Sequence, residues 1–176
     1  MKKGMRRKSR LILVLGGAAS GKSEVALNLA GNARPRAFVA TGEALDGEMR
    51  QRIARHRASR PSDWTTAEVP VKLARWFDRE GAKYQSVVLD CLTLWLSNLG
   101  PATPVTCSRK VAELLRVIRK NSARVVVVSN ELGMGLVPVG RAVRRFRDLA
   151  GKVNQQVAAE ADEVHVVISG QVLRLK

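Results

Sequence analysis

A three-layer α/β domain around a mostly parallel sheet is the fold class this sequence predicts, and three observations predict it. Short β-branched runs recur along the chain, helical patterns fall between them, and a glycine-rich turn joins the first run to the first helix. The strand runs are residues 11–15, 36–40, 86–90, 124–129 and 163–168. Each is nearly continuous in apolar residues, as expected of strands covered on both faces. Residues 22–32, 45–58, 70–80, 107–121 and 141–160 read as helices. The last is the clearest, because Ala142, Phe146, Leu149, Val153 and Val157 fall on one helical stripe while Arg141, Arg144, Arg145 and Lys152 point elsewhere. Residues 171–175 follow Ser169-Gly170 closely enough to form a terminal hairpin with the strand before them.

The chain has 176 residues, 45% hydrophobic and 26% charged, which suits one domain that folds without disulfides or a structural metal. Residues 1–10 read as a basic, disordered tail and residues 11–176 as a single domain. The tail and the run after it superficially imitate a secretory signal. The apolar run is too short, however, and cleavage there would destroy the glycine-rich loop. No run is long enough to span a bilayer. Cys91 and Cys107 have neither metal-ligand spacing nor a disulfide-rich context, so free thiols in a reducing cytoplasm are expected. The formal charge of +16 would attract polyanions, yet only Trp64, Trp76 and Phe77 lie near the scattered arginines. Surfaces that stack bases interleave aromatics with charge, so nucleic acid is not the expected partner.

Gly16-Gly17-Ala18-Ala19-Ser20-Gly21-Lys22-Ser23 fits the pattern of a glycine, four residues, then Gly-Lys-Ser, with a strand before it and a helix after it. In such a loop the backbone N–H groups turn toward phosphate oxygens at a helix N-terminus. Lys22 would reach the β- and γ-phosphates, and the Ser23 hydroxyl would help hold Mg²⁺. The metal also needs a carboxylate at the end of an apolar strand, and Asp90, closing Val87-Val88-Leu89, supplies it. The predicted fold is therefore a three-layer P-loop NTPase (RecA-like) domain, its mostly parallel sheet ending in the C-terminal hairpin.

Three further stretches resemble the bifunctional adenosylcobinamide kinase / adenosylcobinamide-phosphate guanylyltransferase family. The first is Ala40-Thr41-Gly42-Glu43-Ala44-Leu45-Asp46-Gly47-Glu48-Met49, continuing through Arg52-Ile53-Ala54-Arg55-His56-Arg57, Arg60-Pro61, Trp64 and Thr66-Ala67-Glu68. The second is Asn130-Glu131-Leu132-Gly133-Met134-Gly135-Leu136-Val137-Pro138. The third is Arg145-Phe146-Arg147-Asp148-Leu149-Ala150-Gly151-Lys152-Val153-Asn154-Gln155, followed by Ala161-Asp162-Glu163-Val164 and Ser169-Gly170. With the phosphate loop, the resemblance runs from about residue 11 to the C-terminus.

The resemblance implies two reactions: phosphorylation of the aminopropanol hydroxyl of adenosylcobinamide by ATP or GTP, then transfer of GMP from GTP with release of pyrophosphate. It implies a guanylylated histidine at His56, a chemically competent choice, since a neutral imidazole at pH 7 can attack an α-phosphorus. Arg55, Arg57 and Arg60 would stabilise the phosphate charge. His165, inside an apolar strand, reads as a core or sheet-surface residue. The resemblance further implies nucleotide contacts from Gly16 to Ser23, from Ala40, Thr41 and Gly42, from Arg57, Ala58, Ser59 and Arg60, and from Glu68 and Asp90. Trimers occur in the family, so a homo-oligomer is implied. Asn130-Glu131 would follow the fourth predicted strand at the carboxyl edge of the sheet, with Met134 and Leu136 offering an apolar surface to a corrin side chain. Two other readings stay open: a small-molecule kinase without guanylyl transfer, and an NTPase working with nucleic acid.

Overall fold

The computed structural model describes residues 9–58 and 60–176. Most of the expected N-terminal tail, and Ser59, lie outside the described residues. The strands are β1 Arg10–Gly16, β2 Arg36–Ala40, β3 Trp64–Glu68, β4 Ser86–Asp90, β5 Arg124–Asn130, β6 Glu163–Ile168 and β7 Gln171–Arg174. The helices are α1 Lys22–Ala30, α2 Gly47–Ala58, α3 Leu73–Arg79, α4 Leu92–Asn98, α5 Pro104–Lys120 and α6 Arg141–Glu160. The strands form one sheet in the order β3-β2-β4-β5-β1-β6-β7, parallel except for β7, which pairs antiparallel with β6. The predicted α/β class with its terminal hairpin is what forms.

The near-continuous apolar runs follow from this sheet being covered on both sides. Leu11, Leu13, Val87, Leu89, Val125 and Val127 pack under α3, α4, α5 and α6, whereas Ile12, Val14, Phe38, Val88, Val126 and Val128 pack with Ala26 and Ala30 of α1. Alternate residues of each central strand thus feed two separate cores.

Two elements were not expected. Edge strand β3 was read only as part of a motif, because its sequence WTTAE carries just one buried side chain, Trp64. Helix α4 was missed because LTLWLSN is apolar on most sides, and four of its seven residues are buried. Helix α5 begins at Pro104, ahead of the expected 107: the Thr103 side chain accepts a hydrogen bond from Thr106 N–H, and proline occupies the first turn. His165 is a core residue, as expected. It is buried on β6, its Nε2 lying 3.1 Å from Glu163 Oε2, and Glu163 in turn pairs with Arg10.

Candidate functional site

The phosphate loop and the segments after Ala40, Glu68, Asp90 and Asn130 leave the sheet at its carboxyl edge. In register, Ala40 lies beside both Glu68 and Asp90, and Gly16 lies beside Asn130 and Val167. The phosphate loop therefore emerges between β5 and β6, and the ends of β3, β2 and β4 form a row to one side of it. Adjacent strands are about 4.8 Å apart, so Glu68 and Asp90, two strands apart, are separated by roughly 10 Å.

The loop's shape depends on two glycines. A Cβ at Gly16 would overlap the Val167 carbonyl oxygen and come within 2.7 Å of Ser20 Oγ. Gly21 immediately precedes α1 at φ 96°, a left-handed conformation that L side chains rarely adopt. Neighbouring strands hold the loop from both sides. Glu131 N–H donates to Gly16 O at 3.0 Å, and Gly170 N–H, in the β6–β7 turn, donates to Ser20 O at 3.0 Å. Gly17, Ala18, Ala19 and Gly21 face solvent, whereas Lys22 is buried and its ammonium donates to Gly17 O and lies 3.5 Å from Ser20 Oγ. The Ser23 hydroxyl donates to Asp90 Oδ2 at 2.7 Å, so the first turn of α1 is fastened to the end of β4.

Thr41, expected among the nucleotide contacts, is held by hydrogen bonds within the protein. It is fully buried, and each of its polar groups is engaged. Its N–H donates to Asp90 O at 3.0 Å, and its carbonyl accepts from Asn98 Nδ2 at 2.7 Å. Its hydroxyl donates to Cys91 O at 2.7 Å and accepts from Cys91 N–H at 2.8 Å. The residue is a clamp on the Asp90-Cys91 segment. Burial, followed by the nearby Asp90 charge, pushes the Cys91 thiol up to about 11, which keeps it protonated at neutral pH.

A basic group stands beyond this clamp. The Arg60 guanidinium stacks 3.4 Å over the Phe38 ring and donates to Thr66 Oγ1. Burial lowers its pKa, Asp90 opposes that shift, and Arg57 adds to it. Arg57 pairs with Glu68 at 3.8 Å, both side chains being mostly exposed. His56 and Ala58 flank Arg57 in the exposed last turn of α2. The helix is seated through Ile53: a Cβ built on Gly42 would meet Ile53 Cδ1 at 3.6 Å and Leu94 Cδ1 at 3.5 Å, so both side chains close over that glycine.

Hydrogen bonds thus join Ser23, Asp90 and Thr41, with Lys22 bonded back to its own loop at Gly17, while Arg57, Arg60 and Glu68 form a second cluster along the same edge. Sequence reasoning missed the residues that hold the backbone of this site. They are Asn98 on Thr41, Thr93 Oγ1 accepting from Asn130 N–H at 2.8 Å, and Asn154 donating to Asn130 O at 3.1 Å. Thr93 and Asn98 are polar residues within the apolar α4, the signal that could have marked them, whereas Asn154 stands among other polar residues of α6.

A family model described as cobinamide kinase / cobinamide phosphate guanyltransferase matches residues 12–175. The chain is 39% identical over 180 residues to the bifunctional adenosylcobalamin biosynthesis protein CobU of Salmonella typhimurium, spanning 94% of this chain and 99% of that protein. It is 40% identical over 166 residues to the bifunctional adenosylcobalamin biosynthesis protein CobP of Pseudomonas aeruginosa, spanning 93% and 96%. Solved structures share the fold at lower identity. The P4 protein of bacteriophage phi6 in complex with ADP matches with a TM-score of 0.52 and 16% identity, over 98% of this chain and 56% of that one. The RadB recombinase matches with a TM-score of 0.51 and 16% identity, over 91% and 74%. These two likenesses concern the fold alone.

Proposed function

The chain belongs to the cobinamide kinase / cobinamide phosphate guanyltransferase family, and from that premise we propose how its residues divide the two reactions. It is an adenosylcobinamide kinase and adenosylcobinamide-phosphate guanylyltransferase of cobalamin biosynthesis. The observation that carries the division is the Ser23–Asp90 contact of 2.7 Å at the mouth of a phosphate loop, with a basic, histidine-bearing helix on the same sheet edge.

In the kinase step the backbone N–H groups of Gly16 to Ser23 bind the triphosphate of ATP or GTP, and Lys22 offsets charge on the β- and γ-phosphates. The aminopropanol oxygen bonds to the γ-phosphorus. The bond from that phosphorus to the bridging oxygen breaks with its electron pair leaving on the nucleoside diphosphate, and the hydroxyl proton passes to solvent. Ser23 and Asp90 are an all-oxygen pair suited to Mg²⁺. Among the described residues no three or more His, Cys, Asp and Glu side chains gather to hold a metal, so phosphates and water would complete the coordination, as Mg²⁺ prefers. When bound, the ion neutralises phosphate charge. Thr41 and Asn98 keep Asp90 in place.

In the transferase step the His56 imidazole attacks the α-phosphorus of GTP, the bond to the bridging oxygen breaks, and pyrophosphate leaves. A phosphate oxygen of cobinamide phosphate then attacks the same phosphorus and displaces the imidazole. Arg57, Ala58, Ser59 and Arg60 contact the nucleotide beside His56, with Glu68 orienting Arg57; Arg55 adds positive charge. The Ala40 and Gly42 backbone borders the same nucleotide. We take the working form to be a homo-oligomer in the cytoplasm; among the described residues no helix is long and apolar enough to cross a membrane.

Incubating the enzyme with adenosylcobinamide and GTP and weighing the products tests both steps. One phosphate and then one GMP should be added. An acid-labile, alkali-stable guanylyl label on the protein should vanish in His56→Ala while phosphorylation persists. A chain that phosphorylates but never labels would be a kinase only.

A further inference from the structure

The acceptor in this reaction is a large amphiphilic macrocycle, and only its terminal hydroxyl meets the phosphate held at Lys22. The rest must lie on surface adjoining the phosphate loop. We propose that residues 134–139 are that surface: an apolar platform for the corrin ring, formed by Met134, Leu136, Val137 and Val139. This rests on the corrinoid reading above and assigns the acceptor a place on it.

The segment leaves the sheet at the phosphate loop itself. Asn130 ends β5 beside Gly16, and the next residue, Glu131, donates its N–H to the Gly16 carbonyl. Its main chain is fastened at both ends. Gly133 N–H donates to Glu131 Oε1 at 2.8 Å, and Arg144 donates to the carbonyls of Pro138, at 2.9 Å, and Val139. Leu132 turns back against the core. Between these ties Met134, Leu136, Val137 and Val139 are 78, 96, 69 and 96% exposed.

A slack loop would fold such side chains inward or carry polar ones. Here a segment tied at both ends presents four large apolar groups to water within six residues, the mark of a surface made for an apolar partner. Continuity with the phosphate cradle selects the partner, since the segment follows directly on Glu131, whose N–H is bonded to the first residue of the phosphate loop. Methionine suits the irregular outline of a methylated ring with projecting side chains. The neighbouring exposed arginines, Arg141 and Arg145 in the first turns of α6, would sit at the rim, where the phosphate appears after the first step.

The test compares the unsubstituted enzyme with Leu136→Ser and with Leu136→Ser/Val139→Ser. Adenosylcobinamide binding is read directly by equilibrium dialysis, from its own absorbance, alongside steady-state kinetics. Losing apolar contact of this size should raise the dialysis Kd and the KM for adenosylcobinamide about tenfold in the double variant. The KM for GTP, the guanylyl label on His56 and the native mass should stay as they were. Unchanged corrinoid affinity would overturn the proposal, as would a fall in native mass, which would give the row to a second copy of the chain. If the unsubstituted enzyme neither bound nor phosphorylated adenosylcobinamide, the underlying functional reading would fall instead, a distinguishable result.

Discussion

The phosphate loop and helix α2 rise from the same edge of one sheet and are held in opposite ways. The loop is tied by Glu131, Gly170, Lys22 and the Ser23–Asp90 bond, and a buried threonine clamps the Asp90-Cys91 main chain. The helix bears the candidate nucleophile, and its contacts include a half-buried isoleucine and an exposed ion pair. Phosphoryl transfer from a bound nucleotide is mostly positioning and electrostatics, which reward a rigid cradle. A histidine that takes GMP and then gives it to a second substrate must serve two geometries in turn, and a lightly packed helix suits that work.

The largest test of this contrast falls on the rigid half. In Gly16→Ala the new methyl group meets a backbone carbonyl that cannot step aside. Nucleotide affinity, followed with a fluorescent GTP analogue, should drop by on the order of a hundredfold, and both half-reactions should go with it. Normal GTP binding by this variant would mean that the cradle is softer than its bonding implies.

Thr41→Val keeps the shape of the clamp but leaves the Cys91 N–H and carbonyl without partners in the core. Stability in urea should fall by about 2–3 kcal/mol. The concentration of Mg²⁺ needed for half-maximal tightening of GTP binding should rise, and Thr41→Ser should restore both. A stable Thr41→Val enzyme with unaltered Mg²⁺ dependence would refute the positioning role.

The smallest effect on stability is expected at the loose half. Arg57→Gln removes one member of an exposed pair, so unfolding should shift by less than about 0.5 kcal/mol. Labelling of His56 by GTP should nonetheless slow by about tenfold, because a cation beside the transferred phosphate is lost. A large loss of stability would show α2 to be better anchored than its contacts suggest.

The same contrast governs what could be read from the sequence. The strand, turn and helix of the phosphate loop were legible because the turn's backbone needs glycine. The central strands were legible because burial on both faces leaves an unbroken apolar run. Edge strand β3 was not, since an edge can be polar and short. Nor was α4, whose burial erased the polar stripe that would have marked it as a helix. Thr41 shows the limit most plainly. Its motif position pointed toward the nucleotide, but its hydrogen bonds run to Cys91, a partner that only the packing of β2 against β4 brings near. His56 was singled out by resemblance, and nothing in the periodicity of α2 would have separated it from the arginines around it.

The turn between β6 and β7 leans on the phosphate loop through Gly170, a residue from the opposite end of the sequence. The cradle is therefore begun by the first strand and finished by the last hairpin. During synthesis, nucleotide capture would have to wait until nearly the whole domain had left the ribosome. A clipped or tagged C-terminus that unseats the hairpin would act as a lesion in GTP binding, although it removes no group that touches phosphate.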